Sequence, residues 1–173
     1  MLKLRHPTTF KEYDDRMREQ SSPLEALFDS IIASGQLTTD ENIIWVSIDG
    51  FLKARVAVKH PEYMSFRLEV LKNPRIAKFS FQLTYDGKAV RRFCPNHSHT
   101  TPYDCTANPN YPFQGYHKHR WSDLTGDECV YVPEDIQLAS IEQTFHDFCS
   151  ECGITFNGRW NDPPLTQLGF EII

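Results

Sequence analysis

The chain has 173 residues, of which 40% are hydrophobic and 24% charged, which is typical of one folded domain over 1–173 and excludes a disordered or collagen-like chain. No apolar run approaches the roughly 18–20 residues of a membrane-spanning helix, so we expect no membrane partner. No secretory signal is visible and the five cysteines are an odd number, so we expect a cytoplasmic protein with reduced thiols.

The net charge of −5 is unevenly distributed along the chain. One segment, residues 88–121, contains five cations and one carboxylate, which are Lys88, Arg91, Arg92, Lys118, Arg120 and Asp104. A basic segment in an otherwise acidic chain indicates a patch that attracts anions.

Two helices are predicted near the N-terminus, and both have start signals. Thr9 and Glu12 have the spacing of a capping box, in which two side chains bond to free backbone amides. Ser22 and Pro23 start the second helix, since serine caps a helix and proline fits its first position. Gly35 is the expected end of this second helix. The apolar residues on one face of the second helix are Leu24, Leu27, Phe28, Ile31 and Ile32.

An antiparallel meander of about five strands is predicted between residues 42 and 93. The dipeptides Asp49-Gly50 and Asp86-Gly87 are typical of tight hairpin turns. Residues 64–70 alternate between apolar and polar, which is the period of a half-buried strand. The residues expected to face the core are Met64, Phe66, Leu68 and Val70, and those expected to face outward are Ser65, Arg67 and Glu69.

Residues 94–114 are predicted to form a long loop, a kind of segment that is usually functional. Strands at 115–121 and 129–132 follow. A helix is then predicted within 134–152, with an apolar stripe that begins at Leu138 and continues through Ile141, Phe145, Phe148 and Cys152. The expected fold class is α+β: an antiparallel sheet of about five to seven strands, with two N-terminal helices and one C-terminal helix packed on it.

Four of the seven histidines lie within the long loop and the strand that follows it. On a strand His117, His119 and Trp121 would share one face, and Lys118 and Arg120 the other. Two such imidazoles could cleave RNA without a metal, one as general base and one as general acid, while a cation stabilises the developing charge. Lys118 or Arg120 could be that cation only if the strand twists or ends there, and the alternatives are Lys88, Arg91 and Arg92. The alternative is a pair of structural histidines bonded to their neighbours.

A zinc site is a second hypothesis for this stretch. The candidate ligands in the loop are Cys94, His97, His99 and Cys105. A His-x-His pair on a strand could also supply two ligands to one ion, because both rings project to the same side. The sequence lacks a second Cys-x-x-Cys pair, so buried inert thiols and no cofactor remain the simpler interpretation.

A nucleic-acid surface is a third hypothesis, because aromatic residues alternate with cations here. Aromatic rings stack on unpaired bases while cations follow phosphates, which fits single-stranded RNA. The candidate contacts are Lys88, Arg91, Arg92, Tyr103, Tyr111, Phe113, Tyr116 and Trp121. The alternative is that the aromatic residues anchor the long loop to the core.

The stretch from Gly115 to Arg120, followed by an acidic turn and a closing helix, resembles small bacterial proteins of unknown function. The resemblance covers roughly the second half of the chain and implies a bacterial or phage origin, in a toxin–antitoxin or phage-defence setting. It implies no activity.

The leading functional hypothesis is a small cytoplasmic RNA-directed protein, acting as a metal-independent ribonuclease or phosphodiesterase. Two alternatives remain open. One is a non-catalytic protein-interaction module, such as an inhibitor, an antitoxin or an anti-defence protein. The other is a zinc-stabilised binding module. The sequence leaves the oligomeric state and the partner, RNA or another protein, undetermined.

Overall fold

The structure, a computed structural model, describes residues 24–76, 78–95 and 115–164, together with the backbone of 99–100 and 112–113. The helices are α1 (Leu24–Ser34) and α2 (Ile141–Glu151). The strands are β1 (Leu37–Thr39), β2 (Val46–Ile48), β3 (Phe51–Val58), β4 (Phe66–Asn73), β5 (Lys78–Tyr85), β6 (Lys88–Cys94), β7 (His99–Thr100), β8 (Pro112–Phe113), β9 (His117–Ser122), β10 (Gly126–Tyr131) and β11 (Ile154–Phe156).

An antiparallel sheet of seven strands forms the centre of the fold, in the order β10-β9-β6-β5-β4-β3-β2. This sheet with its two helices confirms the α+β class. Two smaller pairings accompany it, β1 with β11 and β7 with β8. Strands β6 and β9 are neighbours in the sheet, so the residues between them in sequence form an insertion that connects two adjacent strands.

Both predicted Asp-Gly turns are confirmed. Asp49 and Gly50 have φ values of 50° and 78°, and Asp86 and Gly87 have φ values of 47° and 78°. Two consecutive positive φ values define the turn whose twist matches that of a β-hairpin. They set the registers Ile48↔Phe51 and Tyr85↔Lys88.

The alternation predicted for residues 64–70 is confirmed within β4. Phe66, Leu68 and Val70 are 2%, 0% and 0% exposed. Met64 is the exception, since it precedes the strand and is 81% exposed. Ser65 has a φ of 82°, so the extended strand geometry begins only at Phe66.

The two helices cover one face of the sheet. Phe28 of α1 contacts Tyr85, while Phe145 and Phe148 of α2 contact Phe81. The predicted Ser22-Pro23 start signal and the first predicted helix lie outside the described residues, and α1 is described from Leu24 onward. The other face, which we call the helix-free face, carries neither described helix and presents the polar residues of the central strands.

The prediction for the last helix was wrong at its start. The helix begins at Ile141, and the side chain of Ser140 caps it by accepting a hydrogen bond from the Gln143 amide at 3.1 Å. Before it, Glu134 and Asp135 form a turn, residues 136–138 have no regular structure, and Leu138 is 48% exposed. The apolar spacing that includes Leu138 was misleading because a capping serine, and not the stripe, sets the boundary.

Candidate functional site

A row of side chains crosses the helix-free face in register. Arg55 of β3 pairs with Glu69 of β4, Glu69 with Gln82 of β5, Gln82 with Arg92 of β6, and Arg92 with His119 of β9. Directly opposed residues in a sheet point to the same side, so these five groups form one polar band. The band joins a cleft at the sheet centre to a cysteine–histidine cluster near the β6–β9 end.

The central cleft has a volume of about 510 Å³. Its lining is made by Arg55, Ser65, Arg67, Glu69, Gln82, Thr84, Asp86 and Gly87. Glu69 forms an ion pair with Arg55 at 2.8 Å and a longer one with Lys53 at 4.0 Å. Arg67 is exposed, and within the part of the chain that the structure describes it forms no ion pair. The cleft therefore presents one guanidinium whose donors are available to a ligand.

The cysteine–histidine cluster consists of Cys94, His117 and His119. Cys94 ends β6 directly opposite His117, and His119 lies two residues further along β9 on the same side. The sulfur and one nitrogen of each ring lie within 4.8 Å of one another. The two rings are 4.9 Å apart between centroids, and His117 and His119 are 0% and 1% exposed.

Backbone carbonyls orient both rings. Nδ1 of His117 lies 3.1 Å from the carbonyl oxygen of Gly115, and Nδ1 of His119 lies 2.7 Å from that of Asp127. A carbonyl oxygen only accepts hydrogen bonds, so Nδ1 carries the proton in both rings. In the neutral imidazole the lone pair is then on Nε2.

Arg92 contacts the cluster without occupying the position of a ligand. Its Nη2 lies 3.2 Å from Nδ1 and 3.3 Å from Nε2 of His119. Because Nη2 is almost equally far from both nitrogens, it must lie above the plane of the His119 ring. At the same distances within the ring plane it would collide with a ring carbon. Nη1 forms an ion pair with the Asp127 carboxylate at 3.1 Å, which balances the charge of Arg92. Burial raises the pKa of the Cys94 thiol, and the Arg92 cation opposes this shift.

Of the cations proposed to assist the histidines, Lys118, Arg120 and Arg91 point to the helix side, whereas Arg92 contacts His119. Lys118 contacts Asp135 at 2.7 Å, and Arg120 forms an ion pair with Asp29 of α1. Arg91 also contacts Asp29, at 2.6 Å, and is 7% exposed. The strand alternation predicted for Lys118 and Arg120 is therefore observed, and it separates these cations from His117 and His119 by the thickness of the sheet.

The remaining predicted RNA contacts have different environments. Lys88 is exposed, and Tyr116 is 45% exposed. Trp121 was expected on the histidine face, but its ring contacts Phe28 of α1 at a centroid distance of 6.2 Å. Trp121 lies opposite the register shift between Gly126 and Cys129 of β10, so the regular alternation no longer determines its direction. His99 and Phe113 are described only as backbone partners in the β7–β8 pair. Tyr103, Tyr111, His97 and Cys105 lie outside the described residues.

Three cysteines, Cys94, Cys149 and Cys152, are free, whereas Cys129 is disulfide-bonded. The prediction of reduced thiols is therefore wrong for Cys129. Cys152 is 0% exposed, which confirms its prediction as a core residue. Burial raises the pKa of the Cys149 and Cys152 thiols, as expected for inert thiols in an apolar core.

Sequence reasoning missed the central cleft. Arg55, Arg67, Gln82 and Thr84 are separated along the chain, and none belongs to a recognisable motif. A signal was nevertheless present, because these residues occupy the outward positions of strands whose inward positions are apolar. Aligning those outward positions across the meander would have shown one polar face.

No protein-family model matches the chain, and no similar curated protein or solved structure was found. Neither described helix is long and apolar enough to cross a membrane.

Proposed function

We propose that the chain is an RNA-binding module that binds single-stranded RNA on the helix-free face of its sheet, with His117 and His119 in a structural role. The observation that carries this proposal is Arg67, an exposed guanidinium without an ion pair in the described residues, in a cleft on a continuous polar band. A cation without a carboxylate partner can pair with a phosphate without first losing another contact.

The charges on this face also favour an anionic ligand. The cations are Lys53, Arg55, Arg67 and Arg92, and the carboxylates are Glu69, Asp86 and Asp127. A small excess of positive charge here contrasts with a net charge of −5 for the chain. Phosphate contacts supply most of the affinity in non-specific nucleic-acid binding, so a local excess decides where the strand lies.

Single-stranded RNA fits this face better than a duplex. An open sheet lets unpaired bases lie flat, and the side chains of Gln82 and Thr84 can bond to base edges. Phe51, on the same side of β3 as Arg55, is 40% exposed and offers a ring for stacking.

The positions of the histidines favour binding over cleavage. Metal-independent cleavage needs one imidazole as base and one as acid, both in contact with the substrate. His117 and His119 are buried, and each Nδ1 bonds to a backbone carbonyl. Cytoplasmic location and a role in a toxin–antitoxin or defence system remain hypotheses from the sequence.

The proposal is tested with a fluorescein-labelled single-stranded RNA and fluorescence anisotropy. Arg67→Glu should weaken binding about tenfold or more and lower the salt slope of log K by about one or more. Arg75→Glu is the matched control, because Arg75 is exposed in the β4–β5 turn, outside the cleft, and the charge change is the same. Equal losses in both variants, or no RNA binding by the wild type, would overturn the proposal.

A protein-interaction module is the second candidate, favoured by apolar surface around β2, an outer strand of the sheet. The exposed apolar residues there are Ile44, Val46, Ile48, Phe51 and Ile76. An extended peptide could pair with the outer edge of β2 and cover these side chains. This candidate predicts that Ile48→Lys abolishes binding of a partner protein, whereas Arg67→Glu does not.

A further inference from the structure

We propose that Cys94, His117 and His119 bind a Zn²⁺ ion, and that this ion joins the two ends of the insertion between β6 and β9. The proposal does not depend on RNA binding. It rests on the positions of three donor atoms in adjacent strands and on the hydrogen bonds that orient two of them.

The first argument is that regular structure places all three donors. Cys94 and His117 are paired across β6 and β9, and His119 projects to the same side two residues later. Strands hold ligand positions more firmly than loops do, so the protein needs little reorganisation to bind an ion.

The second argument is distance. Zinc binds sulfur at about 2.3 Å and nitrogen at about 2.0–2.1 Å in a tetrahedron, so its ligand atoms lie about 3.3–3.8 Å apart. The three donor atoms here lie within 4.8 Å of one another. Side-chain rotations that move these atoms by about one ångström or less would bring them to the spacing of zinc ligands.

The third argument is the orientation of the rings. A zinc-bound histidine generally donates its other N–H to a carbonyl or carboxylate, which fixes the tautomer. The Nδ1 bonds of His117 to Gly115 and of His119 to Asp127 do this for both rings and make Nε2 the ligand nitrogen. Asp127 lies where the β9–β10 register shifts, and this irregularity presents its carbonyl to the ring.

The donor set selects the metal. One thiolate and two imidazoles suit Zn²⁺, whereas Mg²⁺ and Ca²⁺ prefer oxygen ligands. The Arg92 guanidinium nearby is balanced by Asp127, so it adds little net repulsion to the bound cation. Water or another donor takes the fourth position of the tetrahedron.

The consequence concerns the insertion that begins after Cys94 and ends before His117. The ligands at its two ends come together only when β6 and β9 pair in the folded state, so metal binding and folding are coupled. The ion would therefore stabilise the β6–β9 pairing.

The test uses the full chain, purified without a metal-affinity tag, and Co²⁺ as a spectroscopic probe. The metal-free protein should bind one Co²⁺ with the thiolate charge-transfer and visible bands of a tetrahedral site, and Zn²⁺ should displace it. Cys94→Ser should lose the charge-transfer band. Cys149→Ser, which changes a buried free cysteine outside the cluster, should keep it.

If a variant does not fold, the Co²⁺ titration of the wild-type protein alone tests the proposal. A wild-type protein that shows no cobalt bands, and whose melting temperature is unchanged by a large excess of Zn²⁺, would overturn the proposal. A thiolate-to-cobalt charge-transfer band that persists in Cys94→Ser would also overturn the proposal. RNA binding by Arg67→Glu is measured separately from metal binding. Failure of the zinc proposal can therefore be distinguished from failure of the RNA-binding proposal.

Discussion

Cys94 and His117 lie directly opposite each other in β6 and β9, one at each end of the insertion. The pairing makes these two strands neighbours in the sheet and brings a thiol and an imidazole to the same side. His119 and Arg92 form the next pair on the same side of the sheet, two residues further along each strand. The two ends of the insertion thus meet at a site where the Cys94 sulfur and a His117 ring nitrogen lie within 4.8 Å of each other.

A close approach between the two helical segments predicts the effect of one glycine. A Cβ on Gly153 would lie 2.2 Å from the carbonyl oxygen of Ile32, and its φ is 63°. Gly153→Ala should therefore cost several times the roughly 1 kcal/mol expected from backbone strain alone. Gly35→Ala is the control, since Gly35 has the same φ of 63° and nothing within 4 Å of its Cβ position. Urea unfolding compares the two, and equal losses would contradict the packing argument.

Arg91 predicts a second effect on stability. Its guanidinium contacts Asp29 at 2.6 Å and Glu151 at 3.6 Å, and its side chain is 8% exposed. Arg91→Ala should lower the free energy of unfolding by about 2 kcal/mol, because it removes a buried charge-assisted hydrogen bond and leaves Asp29 and Glu151 with Arg120 and Lys118 alone. Lys59→Ala breaks an exposed ion pair with Asp40 and should change stability little. Similar losses in both variants would show that Arg91 acts only as a surface residue.

Cys149 predicts a dependence of stability on pH. Burial raises the pKa of its thiol in the folded protein, so the folded state holds this proton more tightly than the unfolded state. The contribution is fully present below the unfolded thiol pKa of about 8.5 and is lost as pH rises above it, by up to about 1.4 kcal/mol per pH unit. The wild type should thus lose stability relative to Cys149→Ala between about pH 8 and 10. A difference in unfolding free energy that stays constant over this range would contradict the shift.

Removing both histidines separates the catalytic hypothesis from the binding account. His117→Ala/His119→Ala should abolish the Zn²⁺-dependent rise in melting temperature, since two of three ligands are lost. The wild type should leave a single-stranded RNA intact in EDTA. Gel electrophoresis measures RNA cleavage. If the wild type cleaves the RNA in EDTA and the double variant does not, the metal-independent ribonuclease hypothesis is restored.

Much of the fold could be predicted because local rules operate in the meander. The Asp-Gly turns have one preferred geometry, and the alternation in β4 is governed by burial of one face. The start of α2 was misplaced because Leu138 continues an apolar spacing that the capping Ser140 interrupts. Local patterns therefore located elements well and boundaries less well.

The candidate site could be predicted only in part, because it depends on contacts between distant residues. The His-x-His pair was recognisable, and so was the opposite direction of Lys118 and Arg120. The pairing of Cys94 with His117 depends on β6 and β9 being neighbours, which no local pattern in the insertion indicates. Likewise, Arg67 gains its importance from Gln82 and Thr84 on the next strand.

The most direct test of the central claim is amide hydrogen exchange, measured by mass spectrometry, on the full chain with and without single-stranded RNA. The account predicts slower exchange in β4 and β5 around Arg67 and Thr84, with α1 and α2 unchanged. The same protection should be absent in Arg67→Glu and present in Arg75→Glu. Protection confined to the helices or to β2, with β4 and β5 unaffected, would contradict RNA binding on the helix-free face.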